Sequence, residues 1–120
     1  MAERAVSSPY PYITITVRIL GGGPEIETVA LLDTGFEGYL LLPSIRLATG
    51  IQAFCQRLLQ TADGRINRLP LYRAELEIAG LSGVLSCPTF IGGREVLLGR
   101  AVLDHFRVTF DHGREVIVEP

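Results

Sequence analysis

Apolar and polar side chains alternate from Tyr10 to Leu20, with Ile13, Ile15, Val17 and Ile19 on one side and Thr14, Thr16 and Arg18 on the other. A period of two predicts a half-buried β-strand. Gly21-Gly22-Gly23-Pro24 interrupts it, and Ile26 to Leu32 returns as the second strand of a hairpin. Tyr39 to Leu42 predicts a short apolar strand, and Pro43-Ser44 can open a helix of one to two turns that runs to about Ala48 and stops at Gly50. Ile51 to Gln60 fits either a strand or a helix. The turn sequence Thr61-Ala62-Asp63-Gly64 that follows favours a strand, because Asp-Gly is a strong hairpin signal. Arg65 to Ala79 then runs extended, with Leu69, Leu71, Leu76 and Ile78 as core candidates, so the two segments form a projecting hairpin.

Gly80 to Gly83 predicts a turn, and Val84 to Ile91 a strand with an edge or bulge at Pro88. Val96-Leu97-Leu98 is a short buried strand, and Ala101, Val102, Leu103 and Phe106 lie at helical spacing, which predicts a helix over Arg100 to Phe106. Arg107 to Phe110 and Glu115 to Val118 close the chain as a hairpin around Asp111-His112-Gly113. The pattern is all-β: mainly β with one or two short helices. Residues 1–9 are polar and end in Ser7-Ser8-Pro9, which predicts a flexible N-terminal arm, and residues 10–120 form a single domain without repeat or linker.

Composition narrows the partners. A chain of 120 residues that is 48% apolar, with mean hydropathy +0.32, can build a real core and leaves apolar material to bury against a partner. A net charge of -2 and arginines scattered along the chain argue against nucleic acid. Cys55 and Cys87 form no CxxC pair and have no His at ligand spacing, so two reduced thiols are expected and a metal site is not. No stretch approaches the length of a membrane span, and no basic-then-apolar leader opens the chain, which makes the cytoplasm the expected compartment.

The candidate chemistry sits at Leu31-Leu32-Asp33-Thr34-Gly35, where two large aliphatics run into an acid, a small hydroxyl residue and a glycine. A buried strand that ends this way holds a carboxylate just beyond its last residue. Taken alone, the triplet also fits an ordinary strand-to-turn exit. A second element, Val96-Leu97-Leu98-Gly99-Arg100, repeats the apolar pair followed by glycine. Ser44 and Ser82 lie in no pattern with His and Asp that would suggest a serine triad.

Together, Leu31 to Gly35, the glycine-tipped hairpin and Leu97-Leu98-Gly99-Arg100 resemble the retropepsin-like aspartic proteases over about residues 10 to 118. Phe36 after the glycine, then Gly38-Tyr39 and Leu42-Pro43, look closest to the small bacterial single-lobe members. The resemblance implies a single-lobe retropepsin-like acid protease barrel in which Leu97-Leu98-Gly99 lies against the strand before Asp33, with Gly99 required by close backbone approach. It implies that Asp33 acts as general acid and base, that Thr34 bonds across a two-fold axis, and that Gly35 lets substrate approach. Phe36, Glu37 and a flap formed by Thr61, Ala62, Asp63 and Gly64 would meet the substrate. Leu98, Gly99 and Arg100 would support the loop, with Arg100 paired to Glu37.

Two adjacent carboxyls supply one base and one acid, because like charges in contact cannot both ionise easily. Asp33-Thr34-Gly35 occurs once in the chain, so the second acid must come from another copy. The expectation is a homodimeric aspartic endopeptidase acting on a peptide or protein substrate without a metal or organic cofactor, with neither nucleic acid nor membrane as partner. The resemblance to the viral members implies interleaved chain ends in its interface, a part that the alternating Arg114 to Val118 could play, whereas the bacterial members leave a different interface open. The rival is a noncatalytic peptide-binding or dimerisation module on the same fold.

Overall fold

A computed structural model describes residues 3–43, 51–60 and 64–120. Those residues are almost entirely β, in two sheets. The larger sheet has nine strands. In chain order these are β2 (Tyr12–Ile19), β3 (Glu25–Leu32), β4 (Leu40–Leu42), β5 (Cys55–Gln60), β6 (Ile66–Tyr72), β7 (Ala74–Ile78), β8 (Leu85–Ser86), β9 (Thr89–Ile91) and β10 (Leu97–Leu98). The smaller sheet joins β1 (Ala5–Val6), β12 (Glu115–Glu119) and β11 (Arg107–Asp111), in that spatial order, and the helix α1 spans Arg100–Leu103.

The alternation read in β2 is the alternation observed. Ile13, Ile15, Val17 and Ile19 are all buried, and each contributes about 1.5–3 kcal/mol relative to an exposed position. On the opposite face, Arg18 lies among Glu25, Glu75 and Glu77, which β3 and β7 bring alongside it. These carboxylates hold its guanidinium charged, chiefly through the hydrogen bond to Glu77. The β2–β3 hairpin closes through Gly21 and Gly22, both in the left-handed region at φ 81° and 88°, where glycine carries no steric penalty.

The order of the large sheet is β5-β6-β9-β4-β10-β3-β2-β7-β8, which puts β6 and β7 six strands apart although Arg73 alone connects them. In a flat sheet six steps would span about 29 Å. A link from Tyr72 to Ala74 reaches about 7 Å at most. The sheet must therefore roll until its two ends meet. The same closure explains two departures from the expected strands. Arg65 to Ala79 is not one extended run but breaks at Arg73, which leaves Leu69 and Leu71 half-buried while Leu76 and Ile78 enter the core. Val84 to Ile91 likewise breaks at Cys87-Pro88, with β8 paired to β7 and β9 to β4 and β6.

Other elements fall near their expected bounds. The α-helix is shorter than the apolar spacing suggests, because the chain tightens after Leu103 into turns in which His105 N–H donates to Val102 O and Phe106 N–H to Leu103 O. The helix expected from Pro43-Ser44 to about Ala48 lies outside the described residues. The segment expected as a flexible arm carries β1: Ala5 is buried, and Ala5 and Val6 pair with Val118 and Ile117. Glu3 accepts bonds from both the amide and the hydroxyl of Ser82, which hold its carboxyl below the usual range.

The C-terminal strand also differs in role. β12 is the middle strand of its sheet, with β1 on one side and β11 on the other, and Val116 and Val118 are core residues. With both edges occupied it cannot add to a partner's sheet as the interleaved-termini expectation requires. The edges that remain are β1 and β11. No helix among the described residues is long and apolar enough to cross a membrane.

Candidate active site

Two short strands build the floor of the site. β10 lies between β3, to which it runs parallel with Leu97 and Leu98 opposite Leu31 and Leu32, and β4, to which it runs antiparallel. Bonds from Leu31 N–H to Val96 O and from Asp33 N–H to Leu98 O extend the β3–β10 ladder to the first residue of the loop. Leu98 and Leu32 are buried beneath it. Asp33 is thus delivered at the end of a strand whose backbone is held on both sides, by β2 and by β10.

Beyond Asp33 the chain turns sharply. Gly35 N–H donates to Asp33 Oδ1 at 2.9 Å, and Phe36 N–H donates to Asp33 O at 3.2 Å. The first bond holds one carboxylate oxygen. Asp33 is half-buried, and Thr34 and Gly35 are exposed. The Thr34 hydroxyl has no hydrogen-bond partner among the described residues.

The loop is tied down by three successive amides. Gly99 N–H donates to Tyr39 O, Arg100 N–H to Phe36 O, and Ala101 N–H to Gly38 O, at 2.9, 2.8 and 3.2 Å. This closeness explains why residue 99 is glycine. A Cβ there would collide with the Gly38 carbonyl oxygen and come within 2.7 Å of both the Phe36 carbonyl oxygen and Cδ2 of its ring. Arg100 Nη2 lies 3.1 Å from Glu37 Oε1 in a pair open to solvent.

A cleft of about 520 Å³ opens over Asp33. Gly35, Phe36 and Glu37 border it on the loop side, Leu41 and Leu97 beneath, and Leu58, Leu59 and Gln60 of β5 on the far side. The β5–β6 hairpin therefore overhangs the carboxylate. Of the residues expected in its flap, Thr61, Ala62 and Asp63 lie outside the described residues, and Gly64 is exposed at φ 84°. Leu58 and Leu59 were not singled out from the sequence, and Leu41 and Leu97 were expected only as strand residues and not at the cleft. The one signal was two adjacent leucines just before an Asp-Gly turn, a place where only one can face the cleft side of an ideal strand. Among the described residues no cluster of three or more His, Cys, Asp or Glu could hold a metal ion. Cys87 is sealed under the sheet, and burial pushes its thiol up to about 12.

A buried strand ending in a loop-held carboxylate, a parallel apolar-apolar-glycine strand beside it and an overhanging hairpin define a retropepsin-like single lobe. The crystal structure of a retropepsin-like aspartic protease from Rickettsia conorii superposes with a TM-score of 0.60 at 12% identity, over 98% of this chain and 91% of that one. At that identity the likeness is one of fold. No family model matches the sequence, and no curated protein matches it.

Proposed function

We propose that the chain is an aspartic endopeptidase that works as a homodimer, with Asp33 from each copy forming the catalytic pair. The observation that carries this reading is the placement of Asp33: its carboxylate has one oxygen held by the Gly35 amide and opens onto a cleft overhung by β5. The retropepsin-like fold around it supports the reading.

One carboxylate cannot be base and acid in the same step. Brought together, two Asp33 side chains share a proton, because a second negative charge at contact distance is strongly disfavoured. The ionised member takes a proton from water, the water oxygen attacks the peptide carbonyl, and the protonated member donates to the carbonyl oxygen. The resulting gem-diol collapses when the leaving nitrogen is protonated. The apparent acid constants then belong to the pair. Thr34, exposed beside Asp33, is available to bond across the axis, and the apolar side chains of Leu58 and Leu97 would receive an extended peptide. Closing the β5–β6 hairpin over the peptide would exclude bulk water.

The test is cleavage of a mixed peptide library from pH 4 to 7.5 by the parent and by Asp33→Asn. The substitution is nearly isosteric and should abolish cleavage. An inhibitor with a hydroxyl in place of the scissile carbonyl should titrate one molecule per two chains. Cleavage that survives Asp33→Asn sinks the assignment. Absence of cleavage from a folded dimer that still binds peptide would establish the binding module instead.

A further inference from the structure

We propose that Phe36 is a positioning residue for the Asp33 carboxylate and not a wall of the substrate cleft; the inference rests on the hydrolytic role proposed for Asp33. Between Leu32 and Tyr39 the loop reads Asp33-Thr34-Gly35-Phe36-Glu37-Gly38, so Phe36 is its one large apolar side chain. Although Phe36 borders the cleft, only 7% of its surface is exposed, too little for a substrate side chain to pack on.

The ring fills space that two glycines leave. A Cβ on Gly38 would lie 2.7 Å from Phe36 Cζ and 2.9 Å from Cε1, and a Cβ on Gly99 would lie 2.7 Å from Cδ2. Phe90 of β9 packs against the ring at 6.4 Å between centroids, tilted by 59°. Such a tilted aromatic pair is a favourable arrangement. The Phe36 backbone is held at both ends, its N–H on Asp33 O and its C=O by Arg100 N–H. The turn from Asp33 to Phe36 is the same turn that presents the Gly35 amide to Asp33 Oδ1. The ring therefore anchors that turn to Phe90 and to the backbone at Gly38 and Gly99, and through it sets where the carboxylate points. Glycine at 38 and 99 and phenylalanine at 36 are one complementary set.

The roles separate kinetically. A wall residue sets how well substrate binds and which side chains are accepted, whereas a positioning residue sets the geometry of the reacting groups. Loss of the ring in Phe36→Ala should lower kcat by about 100-fold, the effect expected of roughly 1 Å of misplacement. KM and the preferred cleavage sites should stay those of the parent, and Phe36→Leu, which refills part of the space, should recover most of kcat. Leu58→Ala, altering a residue that does line the cleft, should instead raise KM and shift the cleavage sites. A Phe36→Ala enzyme with parental kcat and altered KM or site preference would overturn the proposal.

A second readout needs no activity. At pH 7 the Gly35 amide proton should resonate downfield because it donates to Asp33 Oδ1. It should move upfield in Phe36→Ala and in Phe36→Leu, less in the latter, and stay in place in Leu58→Ala. If the parent cleaves nothing, the hydrolytic reading of Asp33 fails, and the amide shift still decides whether Phe36 holds the carboxylate. If Phe36→Ala does not fold, Phe36→Leu carries both measurements. An unmoved Gly35 amide in a folded variant refutes the positioning role.

Discussion

Gly99→Ala offers the sharpest test of how the site is built, because it adds one methyl group where three parts of the loop converge. The backbone at residue 99 is extended, at φ -95° and ψ 178°, so alanine suffers no conformational strain there. Any loss of stability must come from space. The new Cβ would strike the Gly38 carbonyl oxygen and sit within 2.7 Å of the Phe36 carbonyl oxygen and ring, so the loop would have to retreat from the helix N-terminus.

Overpacking of that kind costs about 1–3 kcal/mol. Retreat also stretches the bonds from Gly99, Arg100 and Ala101 N–H to the loop carbonyls, each worth about 0.5–1.5 kcal/mol. The expected loss is about 3–7 kcal/mol, a large share of the roughly 5–15 kcal/mol that holds a domain folded. Urea titration followed by circular dichroism measures it, at one protein concentration so that association does not enter. Gly113→Ala is the control. That glycine sits at φ 68° with no described atom within 4 Å of a new Cβ, and should lose about 1–2 kcal/mol through backbone strain alone. If Gly99→Ala is no more destabilised than Gly113→Ala, the close approach of the loop to residue 99 is refuted.

Three further outcomes follow from particular contacts. Cys87, raised from 9.0 to about 12 by burial, stays a neutral thiol in the fold while an unfolded chain would ionise it, so its contribution to stability is complete below pH 9 and is lost as pH rises toward 12. Cys87→Ala should flatten the fall in stability over that range, and a thiol reagent at pH 8 should modify half-buried Cys55 well before Cys87. Glu37→Gln should change stability by less than about 1 kcal/mol, because its pair with Arg100 is open to solvent; a loss well above that in chemical denaturation would contradict the exposed geometry. Val116→Ala should cost about 2–4 kcal/mol because that side chain is fully buried within its own subunit, and Thr109→Ala on exposed β11 should cost little; equal effects would refute the central place of β12.

Much of the site was legible along the chain because its parts are local. The period of two in β2, the glycines of the first hairpin, and the exit of Leu31-Leu32 into Asp33-Thr34-Gly35 each depend on near neighbours in sequence. Alternation decides which side chains face inward, and an acid after two large aliphatics must emerge where the strand ends. The apposition of Leu97-Leu98 to Leu31-Leu32, with Gly99 against the loop, was legible only because a second apolar pair, followed directly by glycine, accompanies Leu31-Leu32 and the combination resembles a known arrangement.

What tertiary structure alone decided concerns distant segments meeting. Nothing near Arg73 shows that the chain changes sides there, and Pro88 by itself signals only an edge or a bulge; the breaks arise because a rolled sheet brings its ends together, so that a one- or two-residue link can serve both. The alternation of Arg114 to Val118 shows that one face is buried, but pairing with β1 and β11 made that face part of the subunit's own core. Ala5 reads as part of a polar tail until Val118 comes to lie beside it. Leu58 and Leu59 become a cleft wall because the hairpin folds back over Asp33, and Phe36 lost its exposure because Gly38 and Gly99 left room for a ring. Periodicity and turn chemistry act over a few residues and can be read from them. Strand order, and the space one segment leaves for another, depend on closing long loops, and only the folded chain determines them.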